Sequence, residues 1–442
     1  MSTIFQQNWS RSKMSEHITL PYGSNDMVTV EVPKKNIIFH LKPNDVPGVT
    51  DGIAEIKRAI YNPIGAPRLD DIVKKGKKIA ILANDYTRME CPDREFLLVL
   101  HEEFKKLGVN GEDVTVINAL GSHEPHKEKM LQKYGKDLFE TFNIVDHSVA
   151  EEDLVDLGKT PSGTPISINK IVMNSDVKIG LGNIIPHFIP GFGAGSKIIQ
   201  PGVMGDDSTA ATHTLAVQHD VHHGSVYGEA ENPIRAEMDS MAKKVGLNFI
   251  INSVLNHQKE IVSVFAGDAV KAHRAGIDAV KKVFFGKIPE KADIVIASAH
   301  PADYDLWQGT KGMYGATFAA KEGGTAIVTA PWRSGVSKVH RDTMLELVCE
   351  DPVCILARVE DGEFDDSDDI IAPSLAAMWS TYKERAQIIL VTDGVPEADI
   401  ETLGFGHAKT LDEALEIAFK QQGKDAKVGI IESSADIVAK VF

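Results

Sequence analysis

Cysteine is nearly missing from this chain: only Cys91, Cys349 and Cys354 occur in 442 residues. Their spacing makes neither a disulfide framework nor a zinc knuckle, which excludes a disulfide-stapled scaffold and predicts a reducing, cytoplasmic setting. Small buried hydrophobes are the plain expectation for all three. Positive charge is also short. The 47 Lys and Arg against 63 Asp and Glu leave a formal net charge of −16, which argues against a nucleic-acid partner. An anionic ligand would need its own basic pocket. No apolar run is long enough for a membrane span or a signal peptide core. The opening segment, with Gln6, Gln7, Asn8, Arg11 and Lys13, reads as a loose extension over residues 1–16. Internal repeats and low-complexity tracts are missing too.

What is present is ordinary globular material, 43% apolar and 25% charged, in a chain too long for one core, so two domains are expected. Short apolar runs end in polar or glycine-rich loops and are followed by helical patterns. KKIAILAN at 77–84, DVTVINAL at 113–120 and DVKIGLGNII at 176–185 read as buried strands. Helices are expected near 92–107, 127–134 and 269–285. Gly286–Glu290 reads as a linker, after which strands are expected at 292–298, 324–330, 353–358 and 386–392. The fold class is therefore α/β: two domains, each an open, mostly parallel sheet with helices on both faces. The expected division is 17–287 and 288–423, with 424–442 a candidate to pack back on the first domain. Ligands bind such sheets at the carboxyl ends of strands, so an active site in the cleft between the domains is expected.

Polar clusters stand at those strand ends. Asp85-Tyr86-Thr87-Arg88 sets a carboxylate, two hydroxyls and a guanidinium in one loop; a binding loop and a helix cap with a surface ion pair are both open. Gly121-Ser122-His123-Glu124-Pro125-His126 offers two imidazoles able to exchange protons near neutral pH, with His123 closer to the strand end. Ile185 to Lys197 (IPHFIPGFGAGSK) joins His187 to a lysine among glycines, a turn through which backbone N–H groups can approach an anion. Lys197 can be a nucleophile, a phosphate ligand or a solvated cation, and His187 a base or a core histidine. His213, His219, His222 and His223 resemble a metal-binding run, although without HExxH spacing or a nearby cysteine. Trp307, Gln308 and Lys311 open a further helix, an aromatic wall, an amide and a cation suited to a small carboxylate.

Taken in order, DYTR at 85–88, GSHEP at 121–125, IPHFIPGFGAGSKIIQPGV at 185–203, His213 and WQGTK at 307–311 resemble the nickel-pincer lactate racemase family. The resemblance implies an isomerase, a racemase or epimerase of 2-hydroxy acids working by proton-coupled hydride transfer. It implies that Lys197 covalently holds a Ni(II)-pyridinium-3,5-bisthiocarboxylic acid mononucleotide, with His213 as the nickel ligand. By the same likeness Asp85, Tyr86, Thr87 and Arg88 bind the cofactor, and Arg88, Trp307, Gln308 and Lys311 contact the substrate. His123 and His187 become the acid/base pair. Cofactor-biosynthesis proteins are the implied partners besides the small 2-hydroxy acid. Trp307 stands where the lactate-specific pattern has tyrosine, and Glu124 where it has arginine, a changed wall and a reversed charge that leave the particular 2-hydroxy acid open, so the expectation is a racemase or epimerase rather than lactate turnover as such. Two readings from other classes compete: a zinc-dependent hydrolase or lyase built on His213–His223, and a non-catalytic two-lobed protein that binds a small ligand.

Overall fold

The computed structural model describes residues 14–442. Most of the expected loose extension lies outside the described residues, but its last two belong to a strand. Ser15–Tyr22 pairs antiparallel with Asp26–Pro33, and its buried Ile18 and Leu20 pack with Val30 and Val32 on the second sheet.

The first six-stranded sheet runs, edge to edge, Ile261–Gly267, Phe249–Leu255, Val177–Asn183, Ile79–Asn84, Val114–Ala119 and Asn143–Asp146. All pairs are parallel except the edge pair of Ile261–Gly267 with Phe249–Leu255. Val177–Asn183 is buried along its whole length, as expected of a strand covered on both faces. The second sheet, also six-stranded, is parallel throughout: Gly406–Ala408, Ala386–Val391, Ala320–Thr329, Ala292–Ser298, Val428–Ile431 and Ile37–Leu41. Each sheet has a point where the strand order reverses. In the first it lies between Ile79–Asn84 and Val177–Asn183, and in the second between Ala292–Ser298 and Val428–Ile431. At such points the loops after neighbouring strands diverge and leave a crevice.

Three local expectations are corrected. Residues 353–358 are not a strand but part of the helix Pro352–Glu360, because the Asp351 carboxylate caps the N–H groups of Val353 and Cys354 and proline occupies the first turn. The linker expected at 286–290 is largely the strand Phe285–Ile288, which pairs in parallel with Val438–Val441. The closing stretch adds Val428–Ile431 to the second sheet, with Ile37–Leu41 on its far side, and also touches the first unit, where the Tyr227 hydroxyl donates to the Ala435 carbonyl and Lys440 pairs with Glu229. The first sheet's unit is thus inserted between Ile37–Leu41 and the rest of the second. Cys349 and Cys354 are exposed, and only Cys91 is buried. Among the described residues no helix is long and apolar enough to cross a membrane.

The two units share a core. Phe188, Val217, Tyr227 and Met238 of the first lie in one buried cluster with Trp307, Tyr314, Trp379 and Tyr382 of the second. At the carboxyl end of Ile79–Asn84 the structure also buries an ion pair: Lys133 Nζ lies 2.6 Å from Asp93, both side chains at most 1% exposed. The same ammonium donates to the carbonyls of Asn84 and Asp85, at 2.9 and 3.0 Å. Lys133→Met leaves Asp93 buried without its counter-charge, so urea unfolding should report a loss of about 3–5 kcal/mol. Lys133→Met combined with Asp93→Leu should recover most of it, because no lone charge then remains inside.

Candidate active site

A cavity of about 1110 Å³ lies where the reversal points of the two sheets face each other. Asp85, Tyr86, Thr87, Arg88, His123, His187, Lys197, His213, Trp307, Gln308 and Lys311 all line it. His126 does not; its ring packs 5.3 Å from that of Tyr86.

Asp85 caps the short turn Tyr86–Arg88, one oxygen accepting from the Thr87 N–H at 3.0 Å and the Thr87 hydroxyl at 2.7 Å. The other oxygen lies 2.5 Å from His123 Nδ1. A carboxylate only accepts, so Nδ1 carries the proton. Burial alone would raise the Asp85 carboxyl, but the His123 ring and the Arg88 guanidinium outweigh it and hold the group well below the usual carboxylate range. Across the cleft, the Gln308 amide nitrogen donates to His123 Nε2 at 3.0 Å, while the Gln308 carbonyl accepts from Lys311. One hydrogen-bonded line therefore joins Asp85, His123, Gln308 and Lys311 through both units.

The glycine-rich turn is fixed from several sides. Gly182 lets the turn lie against its strand: a Cβ there would come 2.8 Å from that of Ala194. Gly195 has φ +60°, a conformation that favours glycine, and its N–H donates to Asn252 Oδ1 at 3.0 Å. The fully buried Arg235 guanidinium donates to the carbonyls of Pro190, Phe192 and Ala194, and the His273 ring to that of Gly193. Lys197 projects from the short 3₁₀ turn Gly195–Ile198, and its ammonium has no hydrogen-bond or ion-pair partner among the described residues. Burial, aided by the charges of Arg88 and Arg235, pushes its ammonium down to about 7. Burial and the Lys197, Lys311 and Arg88 charges likewise hold His187 well below the ordinary histidine range. Its Nδ1 accepts the Ile189 N–H at 3.2 Å, which leaves the ring proton on Nε2.

His213 lies in the middle of the helix Asp206–His223. Its Nδ1 donates to the Thr209 carbonyl at 2.7 Å, leaving Nε2 with a lone pair, and burial lowers the ring to about 4. The histidine run does not gather. His219, His222 and His223 crowd one another at the helix end and none lines the cavity. Among the described residues no three His, Cys, Asp or Glu side chains stand together as a metal-holding group.

In the second unit Asp305 caps the helix Leu306–Ala319, which turns Trp307, Gln308 and Lys311 toward the cavity. The Trp307 indole stacks on His340 at 3.9 Å, and His340 is held by Asp369 at 3.0 Å. Glu124 is exposed and lines no part of the cavity, so the charge expected beside the site points elsewhere. Sequence reasoning passed over Arg235 and Lys133, which carry no local motif. It also passed over Asp436, although the loop after Val428–Ile431 is the carboxyl end of a parallel strand like the others.

Comparison with known proteins gives a consistent answer. The lactate racemase N-terminal domain model matches residues 22–224 and the C-terminal domain model residues 288–439. The lactate racemase of Thermoanaerobacterium thermosaccharolyticum is 30% identical over 442 residues, covering 94% of this chain and 100% of the relative. That of Lactiplantibacillus plantarum is 30% identical over 400 residues, 87% of this chain and 90% of the relative. The structure of the T. thermosaccharolyticum lactate racemase apoprotein superposes with a TM-score of 0.83, covering 96% of this chain and 100% of that one. A Thermotoga maritima protein of 18% identity, 91% of this chain and 100% of its own covered, shares the fold at a TM-score of 0.70. With both domain models in order and relatives matched over nearly their full lengths, the chain belongs to the lactate racemase family and is an isomerase.

Proposed function

We propose that this protein racemises or epimerises 2-hydroxy acids, with a nickel-pincer mononucleotide held on Lys197. The observation that carries the reading is the Lys197 amine, half-buried in the cavity wall, unpartnered among the described residues and pressed down to about 7. Near neutral pH much of it is the free amine, the nucleophilic form of a lysine. The rest of the donor set suits the group. His213 Nε2 is a neutral imidazole nitrogen fit for nickel. The Gln200 Oε1 atom is buried beside the cavity with no hydrogen-bond partner. Asp85, Tyr86, Thr87 and Arg88 supply the hydroxyl and guanidinium contacts that a nucleotide accepts.

When bound, the pincer group supplies a hydride acceptor, which removes the need to form a carbanion beside an ionised carboxylate. The chain's own residues bind and move protons. Arg88 and Lys311 hold the substrate carboxylate, and Trp307 closes one wall. His123 presents the Nε2 lone pair and takes the hydroxyl proton, while Asp85 accepts its Nδ1–H and stabilises the imidazolium that results. Gln308 leaves Nε2 when the substrate hydroxyl arrives. His187 faces the site with an N–H and binds the oxygen on the other side. The opposite enantiomer exchanges the two roles: the extra proton then starts on His123 Nε2, which returns it to the product oxygen, and His187, in the tautomer that frees its Nε2, takes the hydroxyl proton. This reading implies partner proteins that make the nucleotide, in a cytoplasmic setting.

Lys197→Ala should abolish the cofactor adduct seen by intact mass while leaving the melting temperature close to wild type; an adduct that persists overturns the attachment. Acylation of Lys197 by a small water-soluble reagent should rise with pH through a midpoint near 7, because raising the pH frees the amine, whereas an ordinary lysine titrates near ~10.4. His123→Ala and His187→Ala should each cut racemisation in both directions by about 10²- to 10⁴-fold, followed by chiral chromatography of cofactor-loaded protein.

A further inference from the structure

Asp436 is an acidic group of the cavity that the proposed chemistry leaves unused. It lies in the loop after Val428–Ile431, at the reversal point of the second sheet, opposite the loop that leads to Gln308 and Lys311. Neither of its carboxylate oxygens has a hydrogen-bond or ion-pair partner among the described residues, although Lys259, His300, Glu90, Arg88 and Lys311 all face the same space. Burial, eased by the Lys259 charge, pushes the carboxyl up to about 6, so it is mainly ionised at neutral pH.

The loop cannot carry this carboxylate away. The Ser434 N–H and hydroxyl both donate to the Ser298 carbonyl, at 2.8 and 2.9 Å, and the Tyr227 hydroxyl donates to the Ala435 carbonyl at 3.1 Å. Gly315 lets the Ser434 carbonyl press against the helix that bears Lys311: a Cβ at 315 would lie 2.1 Å from that oxygen. A fixed, ionised and unpartnered acceptor in a binding cavity requires a donor from the ligand or water.

We propose that Asp436 reads the end of the substrate remote from its carboxylate, and that the substrates are 2-hydroxy acids carrying a hydrogen-bond donor, a hydroxyl or an ammonium, beyond Cβ. The proposal rests on the racemase reading above. Arg88 and Lys311 take the substrate carboxylate, which leaves the tail to Asp436. The methyl group of lactate offers it nothing. A second carboxylate, as in malate, meets like charge.

The test uses cofactor-loaded wild type, Asp436→Asn and Asp436→Leu, with enantiopure 2-hydroxybutyrate, 2,4-dihydroxybutyrate, 4-amino-2-hydroxybutyrate, malate and lactate. Wild type should favour at least one donor-bearing acid over 2-hydroxybutyrate by roughly tenfold or more in kcat/KM, well below the discrimination of a fully buried polar site because Asp436 is half-buried and water can replace the missing donor. Asp436→Leu should erase or invert that ratio. Asp436→Asn should keep the hydroxyl preference, lose any ammonium preference and admit malate. The two donor-bearing acids separate a hydroxyl from an ammonium tail. An unchanged ratio in Asp436→Leu overturns the proposal, as does a wild type that prefers 2-hydroxybutyrate or malate. Loss of the Lys197 adduct in Asp436→Leu with unaltered ratios in Asp436→Asn also overturns it, by placing the carboxylate on the cofactor side. If adduct-bearing wild type turns over none of the acids, the racemase reading fails. Calorimetric binding of the same panel to wild type and both variants then decides the Asp436 assignment by the same ratios.

Discussion

Lys133 and Asp93 place opposite charges against each other inside the first unit, at the one strand end around which the site is arranged. The ammonium holds the carbonyls of Asn84 and Asp85, and the Asn84 amide donates to Asp93. Asp85 is therefore not free to follow its ligands. It stands where the end of the strand puts it, and through it His123, Gln308 and Lys311 take their places. A buried pair of this kind adds little net stability over a well-packed apolar substitute. What it contributes here is direction: the turn after Ile79–Asn84 has one conformation in which the inward carbonyls are satisfied.

Electrostatics then follows from position. The chain as a whole is strongly acidic, with a net charge of −16, yet Arg88, Lys197 and Lys311 share one cavity. Taken from water and set among one another, the two lysines lose affinity for protons, Lys197 to about 7 and Lys311 well below its ordinary range. The same surroundings depress His187, whereas His123 has a carboxylate at its back. The two imidazoles thus both present Nε2 to the site, but differ in charge environment and in whether that nitrogen carries the proton.

Much of the fold was legible because parallel strands buried on both faces are near-continuous apolar runs, and because their polar clusters fall at carboxyl ends. IAILAN and its successors declare themselves in this way, and so do the residues from Asp85 to Lys311 that line the cavity. Residues 353–358 misled because a short apolar run fits strand or helix, and the decision lay outside it, in the cap made by Asp351 and Pro352. Long-range pairing was invisible. Nothing in Ile37–Leu41 indicates that its neighbour is Val428–Ile431. Lys133 and Arg235 read as ordinary helix charges, since burial is a property of the folded surroundings and leaves no local mark. The run His213–His223 shows the converse. Its composition suggested a metal group, but helical geometry sends the first histidine into the cavity and the others to the helix end.

The insertion of one unit inside the other bears on how the molecule is made. As the chain leaves the ribosome, every strand of the first sheet is available by the time Ile261–Gly267 has been synthesised. Ile37–Leu41, made earlier, has no partner until Val428–Ile431 follows near the other end. Contacts of such sequence separation form slowly. Lys197 is thus presented on a finished sheet while the wall bearing Gln308, Lys311 and Asp436 has yet to close the second. The nascent protein passes through a stage in which one wall of the cavity is complete and the other is not, so the cavity stays open on that face until the chain is nearly finished.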